Sequence, residues 1–348
     1  MIIYIFNLIS ILIIGFILLR LINTQRSKKF FYAFASIQFI LIIGLRGWDV
    51  GWDTRNYIYF FEKYGSMNFI SLLSGNFEIE KGYLIFQYFL FNIYSHPTLL
   101  FSTIATIYII SVSSFIYRNS KYPLLSYLIF ISMGYFTFSM TALRQTIAIA
   151  IILFSYNYLK EKKLLGFLIL VLIASTFHYS AIVFLPFYFI SKIKVTRLYM
   201  FLSIPIIVVT FLFREPIFKF LSTLSGYNYS PISTDGPATL FSLFLIVYVV
   251  SIALSKAIDY NKLENRICYH AIFLSIIFTV LAFIHPAALR ISYYFSFFII
   301  IFIPEIIRAF KTKELRFFIF IAASIILIVL YLLNINPSSP FVPYDFFW

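Results

Sequence analysis

The chain has 348 residues, 62% of them hydrophobic and only 11% charged, whereas a soluble domain carries roughly 25% charged residues. That composition excludes a soluble globular enzyme. In a soluble protein the net charge of +14 would raise nucleic acid as a partner, but here membrane topology accounts for it and no nucleic acid is expected.

Residues 2–21 open the chain as an apolar run whose positive charges follow it. A signal peptide carries them in front, so this run reads as a first membrane helix with its N-terminus outside. Further spans are expected at 30–45, 98–117, 123–139, 145–159, 164–177, 179–191, 198–213, 238–255, 267–284, 290–307 and 316–335. The runs are continuous rather than alternating, which excludes an outer-membrane barrel. Residues 82–95 (GYLIFQYFLFNIYS) are apolar but too short to span, and read as an interfacial or re-entrant helix. The fold class expected is therefore all-α. It is a polytopic transmembrane helix bundle of about twelve spans plus that extra helix, forming one membrane-embedded domain over 1–348, with outer loops at 46–81 and 214–237. Within it, 145–191 reads as helices that stop partway and leave a polar cavity open to the outside.

Basic clusters punctuate the apolar runs at 20–29, 118–121, 160–163, 192–197, 256–266 and 308–316. The positive-inside rule places all six in the cytoplasm. Most acids fall in the opposite loops, so the inner face carries the whole formal excess.

The outer stretch Gly44–Tyr64 (GLRGWDVGWDTRNYIYFFEKY) is dense in charge, glycine and aromatics. Gly47 and Gly51 allow a turn or a close approach to a ligand. Trp48, Trp52 and Tyr57 offer flat faces for sugar rings or a membrane surface. Asp49 and Asp53 are i,i+4 and share a face if the loop is helical. Arg144 (in SMTALRQTIAIAIIL), His178 (in IASTFHYSAIVF) and Arg290 (in IHPAALRISYYF) each sit beside apolar runs at the outer end. Ionised groups so placed are costly and mark a cavity or a partner. Arginines there suit a diphosphate, whose oxygens a guanidinium grips bidentately. With no phosphate-cradling glycine loop, that diphosphate is not expected on a nucleotide. Glu78-Ile79-Glu80 only loosely resembles a metal-binding Asp-x-Asp. The single cysteine, Cys268, excludes a disulfide framework and a Cys cluster for zinc, and the four histidines lack metal-ligand spacing. No metal site and no cofactor are expected.

LRGWDVGWDTRNYIYFF, EKGY (80–83), LRQTIAIAIILFSYNYLKEKK (143–163), FHYSAIVFLP (177–186), RISYYFSFFIIIFIPEI (290–306) and the terminal PYDFFW follow in order. Together they resemble the EpsG branch of the Wzy-type O-antigen and exopolysaccharide polymerases. The resemblance implies a GT-C-like membrane glycosyltransferase. Such an enzyme polymerises undecaprenyl-diphosphate-linked oligosaccharide repeat units on the outer, periplasmic side of the bacterial plasma membrane. Its partners would be those lipid-linked units, membrane lipid, and a chain-length regulator and flippase of the same pathway. Matching positions are Arg46, Gly51, Asp53, Tyr57, Glu80, Arg144, Gln145, His178 and Arg290. On this reading Asp53, Glu80 or His178 serves as base. Arg46, Arg144 and Arg290 hold the diphosphate, and Trp48, Trp52, Tyr57 and Gln145 contact sugar.

A flippase for lipid-linked oligosaccharide would also place arginine in a cavity, yet neither an internal repeat nor polar residues through both membrane halves are present. A membrane acyltransferase using His178 would leave the Asp53 motif unexplained.

Overall fold

In the computed structural model, which describes residues 1–224 and 237–348, helices dominate and no strand forms among the described residues. The chain divides into two compact units. The first comprises 1–158, 165–182 and 322–348; the second comprises 159–164 and 183–321.

The first unit begins with α1 (Ile2–Phe16), which continues as a π-helical turn over Ile17–Ile22. Next comes α2 (Gln25–Gly44), started by a capping box in which Thr24 and Ser27 satisfy each other's backbone N–H. The loop 46–81 contains α3 (Thr54–Gly65) and α4 (Phe69–Ser74), and α5 (Lys81–Ile93) follows. Pro97 and Pro123 occupy the first turns of α6 (Pro97–Asn119) and α7 (Pro123–Ser132), where a missing N–H costs nothing. Gly134, at φ +78°, separates α7 from α8 (Tyr135–Thr141). Last in this unit's main run are α9 (Leu143–Lys160) and α10 (Leu164–Phe177).

Packing between α2 and α6 is close: a Cβ on Gly44 would come within 2.8 Å of the Ser102 backbone. Ser36 and Ser113 hydrogen-bond across that seam at 2.7 Å. The helices after α2 do not float free, because α3 and α5 share a core of Tyr57, Phe61, Tyr64, Tyr83 and Leu84.

A 3₁₀ segment (Tyr179–Phe184) leads into the second unit, followed by α11 (Phe187–Ile190), α12 (Arg197–Leu212) and α13 (Arg214–Leu224). Beyond residue 236 come α14 (Ala238–Ala253), α15 (Leu263–Ala282), α16 (Ala287–Ser296) and α17 (Ile299–Ala309). Most of α15 is buried, and it packs on α12, α14 and α16. Its His270 is satisfied at both ring nitrogens, by Tyr199 Oη at 3.0 Å and the Ile193 carbonyl at 3.0 Å. That histidine is structural. Finally α18 (Lys313–Asn334) starts in the second unit, and its residues from 322 onward belong to the first.

Five helices are long and apolar enough to cross a membrane: 2–22, 25–44, 97–119, 263–282 and 313–334. The count reaches eight if each of three bent pairs (α7–α8, α12–α13 and α16–α17) is one span. The first and last of the five expose most of their apolar surface, as lipid-facing helices do. The chain is an integral membrane protein built of helices.

Several expected spans look different in detail. Residues 123–139 and 290–307 are each broken by bends of 47° and 51°. Residues 179–191 form a 3₁₀ turn and a four-residue helix rather than one span. The short apolar stretch 82–95 is α5. Asp49 and Asp53 do not share a helical face, because the helix begins only at Thr54. Within 214–237, expected as an outer loop, 214–224 is α13, and 225–236 lies outside the described residues.

Candidate active site

Glu80 is the hub. It occupies the extended N-cap position of α5, and its side chain does not cap its own helix. Both carboxylate oxygens are therefore available to other segments. Oε2 accepts from Arg144 Nη1, on the first turn of α9. Oε1 accepts from His178 Nδ1 at 2.9 Å and from the Tyr179 backbone N–H at 3.2 Å. His178 is delivered by the end of α10, which stops at Phe177. Three segments far apart in sequence thus meet at one carboxylate. Side-chain exposures of 28% for Arg144, 18% for Glu80 and 17% for His178 leave the cluster reachable from the surface.

Burial tends to raise the Glu80 carboxyl. The His178 hydrogen bond and the Arg144 charge outweigh it, and hold the group at about 2. Glu80 is therefore an ionised acceptor at neutral pH and a weak base. Because an ionised carboxylate only accepts, Nδ1 of His178 donates to Glu80, which leaves Nε2 as the ring nitrogen that Glu80 does not engage.

Behind this surface lies a buried phenol-and-guanidinium layer. Tyr57 faces Arg144; burial raises its hydroxyl pKa against the lowering effect of that guanidinium. Tyr83 stacks edge-on to Tyr57 at 6.1 Å between centroids. Arg46 is fully buried and has no carboxylate partner among the described residues. Its Nη1 donates to the Ile43 carbonyl at 2.6 Å, its Nη2 to the Met140 carbonyl at 3.2 Å, and its guanidinium lies 4.2 Å over the Phe101 ring. Burial lowers its pKa to about 10, which leaves it charged.

Asp53 sits half-buried at the N-cap of α3, and its side chain does not cap that helix. Its carboxylate joins no ion pair among the described residues, and its charge acts on the Tyr57 hydroxyl, raising that pKa. Asp49 pairs instead with exposed Arg55 at 2.5 Å. Glu78 is exposed while Glu80, two residues on, turns inward. Trp48 and Trp52 are both exposed; Trp48 lies 6.3 Å from the His96 ring. Gln145 is buried beside Arg144 on α9. Arg290 belongs to the second unit, exposed on α16. Among the described residues no group of three or more His, Cys, Asp or Glu side chains is placed to hold a metal ion.

The two glycines of the turn after α2 approach the chain's own backbone. A Cβ on Gly47 would meet the Asp345 carbonyl at 3.0 Å, and one on Gly51 (φ +101°) the Met140 carbonyl at 2.7 Å. Residues 340–347 form a strap along this turn. Gly47 N–H donates to the Asp345 carbonyl at 2.6 Å, Gly51 N–H to the Pro340 carbonyl at 2.9 Å, and Phe347 N–H to the Leu45 carbonyl at 3.2 Å. Sequence reasoning assigned no such role to PYDFFW. It also passed over Tyr83 and Gln87, although both interrupt an apolar helix at helical spacing from Glu80. A cleft of about 460 Å³ in the second unit is lined by Arg197, Lys256 and Asp259 among others, and includes none of the expected site residues.

A helical integral membrane protein with an arginine–carboxylate–histidine cluster at a helix break is the class these observations define. The EpsG family model matches residues 29–346, nearly the whole chain. The chain belongs to the EpsG family, a family of Wzy-like polymerases. No curated protein and no solved structure matches it significantly.

Proposed function

We propose that the protein is a polysaccharide polymerase with a GT-C-like bundle of about twelve spans. It transfers a growing glycan from undecaprenyl diphosphate to a lipid-linked repeat unit, on the outer side of the bacterial plasma membrane. The observation that carries this reading is the convergence of Arg144, Glu80 and His178 in a family member.

In the reaction, an acceptor hydroxyl oxygen bonds to the anomeric carbon of the donor glycan. The bond from that carbon to the diphosphate oxygen breaks, and the diphosphate leaves with the electron pair. Its developing charge is met by Arg144, whose guanidinium is fixed by Glu80 before the substrate arrives. Pre-placed charge of this kind acts only as the leaving group forms. The hydroxyl proton passes to His178 Nε2, since Glu80 orients the ring through Nδ1. Glu80 itself is too acidic to be the base, so its part is to position both neighbours. Asp53, uncommitted to an ion pair, orients the acceptor hydroxyl. Trp48 and Trp52 supply exposed stacking faces for sugar rings.

The test uses purified protein in vesicles with lipid-diphosphate repeat units extracted from a strain lacking the polymerase. A ladder of longer lipid-linked glycans without any added sugar nucleotide is expected. Movement of repeat units across the vesicle without lengthening would instead make the protein a flippase.

A further inference from the structure

Beyond Glu80, the buried face of α5 carries two hydrogen-bonding groups that the reaction above does not use. Glu80, Tyr83 and Gln87 follow one another at spacings of three and four residues, so they lie on one face of the helix. That face packs against α3 in a cluster of aromatic and aliphatic side chains. Tyr83 and Gln87 are both 0% exposed. The Tyr83 hydroxyl, and both ends of the Gln87 amide, have no hydrogen-bond partner among the described residues. Arg46 Nε is in the same condition.

A buried polar group without a partner is destabilising. Helix α5 had apolar alternatives at both positions, since Phe and Leu fill the same volumes among neighbours that are already apolar. Polar groups kept at a stability cost suggest function. Their chemistry also selects a ligand. A phenol and a carboxamide are uncharged and both donate and accept, which matches sugar hydroxyl and amide groups. Phosphate, which only accepts, would call for cations at these two positions. The row starts at Glu80, beside the reacting groups, and runs about 10 Å along the helix at 1.5 Å per residue. That length suits one or two sugar rings next to the cleaved bond.

We infer that Tyr83 and Gln87 form a sugar-reading wall, which binds hydroxyl or amide substituents of the repeat unit and sets which glycan is accepted. The inference rests on the polymerase reading and names the substrate contacts of that site. Because both residues are buried, the sugar enters by parting the aromatic seam between α3 and α5, where Phe61 packs on Phe91 at 5.3 Å.

Removing these groups separates binding from folding. Tyr83→Phe and Gln87→Leu delete hydrogen-bonding atoms that support nothing in the fold, so detergent-purified variants should melt at or above the wild-type temperature. With the extracted lipid-linked repeat units, each should nevertheless polymerise with an apparent KM raised about tenfold, the size of one or two lost hydrogen bonds. Tyr88→Phe, on another face of α5, serves as the control and should behave as wild type. Activity of both wall variants within about twofold of wild type, less than one hydrogen bond is worth, would overturn the inference while leaving the polymerase reading intact. So would melting temperature and activity falling together, since the two groups would then hold structural water. If wild-type protein itself makes no ladder, the polymerase reading fails first.

Discussion

Glu80 divides its two oxygens between a cation and an imidazole, and each partner predicts a different consequence of losing it. Arg144→Lys keeps the charge but not the planar fork that can hold Glu80 and a phosphate together. Polymer yield should fall severely while the amount of protein in the membrane stays normal. Arg144→Ala should be worse, by about 10²–10³ in rate, as for loss of one pre-placed electrostatic partner. Glu80→Gln removes the counter-charge and frees His178 to turn. Activity should collapse, with a stability loss below the about 3–5 kcal/mol of a fully buried broken pair, because Arg144 is 28% exposed. Asp53→Asn keeps size and should abolish polymer without altering the melting temperature. Arg55→Ala breaks only the exposed pair with Asp49 and should be mild. These outcomes are read from glycan ladders beside immunoblots of membrane fractions. Parallel loss of protein and activity would reduce Arg144 to an ordinary structural ion-pair member and Asp53 to a residue that serves the fold.

Among the elements, the turn after α2 and the 340–347 strap act as one piece. Gly51 is at φ +101° with the Met140 carbonyl 2.7 Å from any added Cβ. Gly51→Ala should therefore cost more than about 1 kcal/mol, through backbone strain and crowding. The same turn carries Arg46 and Asp53, so activity should fall beyond the stability loss, as a comparison of melting temperature with rate would reveal. Replacing Tyr344 by Phe removes its hydrogen bond to the Ile42 carbonyl, 2.8 Å long, and should loosen the strap modestly. Proteolysis of the C-terminal residues in purified protein would report that loosening.

Over the whole molecule, the charge asymmetry predicts an orientation, and pH governs the ionic cluster. A cysteine at Asn56 should react with a membrane-impermeant maleimide on intact cells. One at Lys256 should react only after permeabilisation; Cys268, being buried, gives little background. Labelling of position 256 from outside would invert the charge-based map. Glu80 has its folded pKa lowered from 4.5 to about 2. Its ion pair thus stabilises the fold fully above pH 4.5 and loses that contribution as pH falls toward 2. A melting temperature that drops across this acid window in wild type, but less in Glu80→Gln, is expected. Treatment with EDTA should leave polymerisation unchanged; complete loss restored by magnesium would bring Glu78, Glu80, Asp49 and Asp53 forward as ligands.

Helical membrane architecture was legible at once, because backbone groups in lipid must be satisfied within a helix and the apolar runs needed for it are visible by inspection. The number of regular spans was less so. Gly134 at positive φ, and breaks after Ser296 and Phe177, interrupt apolar runs that hydropathy alone joins. Ordered motifs named the family, and they carried Glu80, Arg144 and His178 without saying that these touch.

The sequence by itself determined composition class, charge asymmetry and family, since each is a sum or an order along the chain. Only the tertiary structure decided that one carboxylate holds both Arg144 and His178, because residues 64 and 98 positions from Glu80 meet by packing and not by periodicity. It likewise decided that Gly47 and Gly51 serve the chain's own C-terminal strap and that Asp49 belongs to Arg55 and not to Asp53. Close approach, and the choice of partner for a charge, depend on distances that no spacing along one strand of sequence contains.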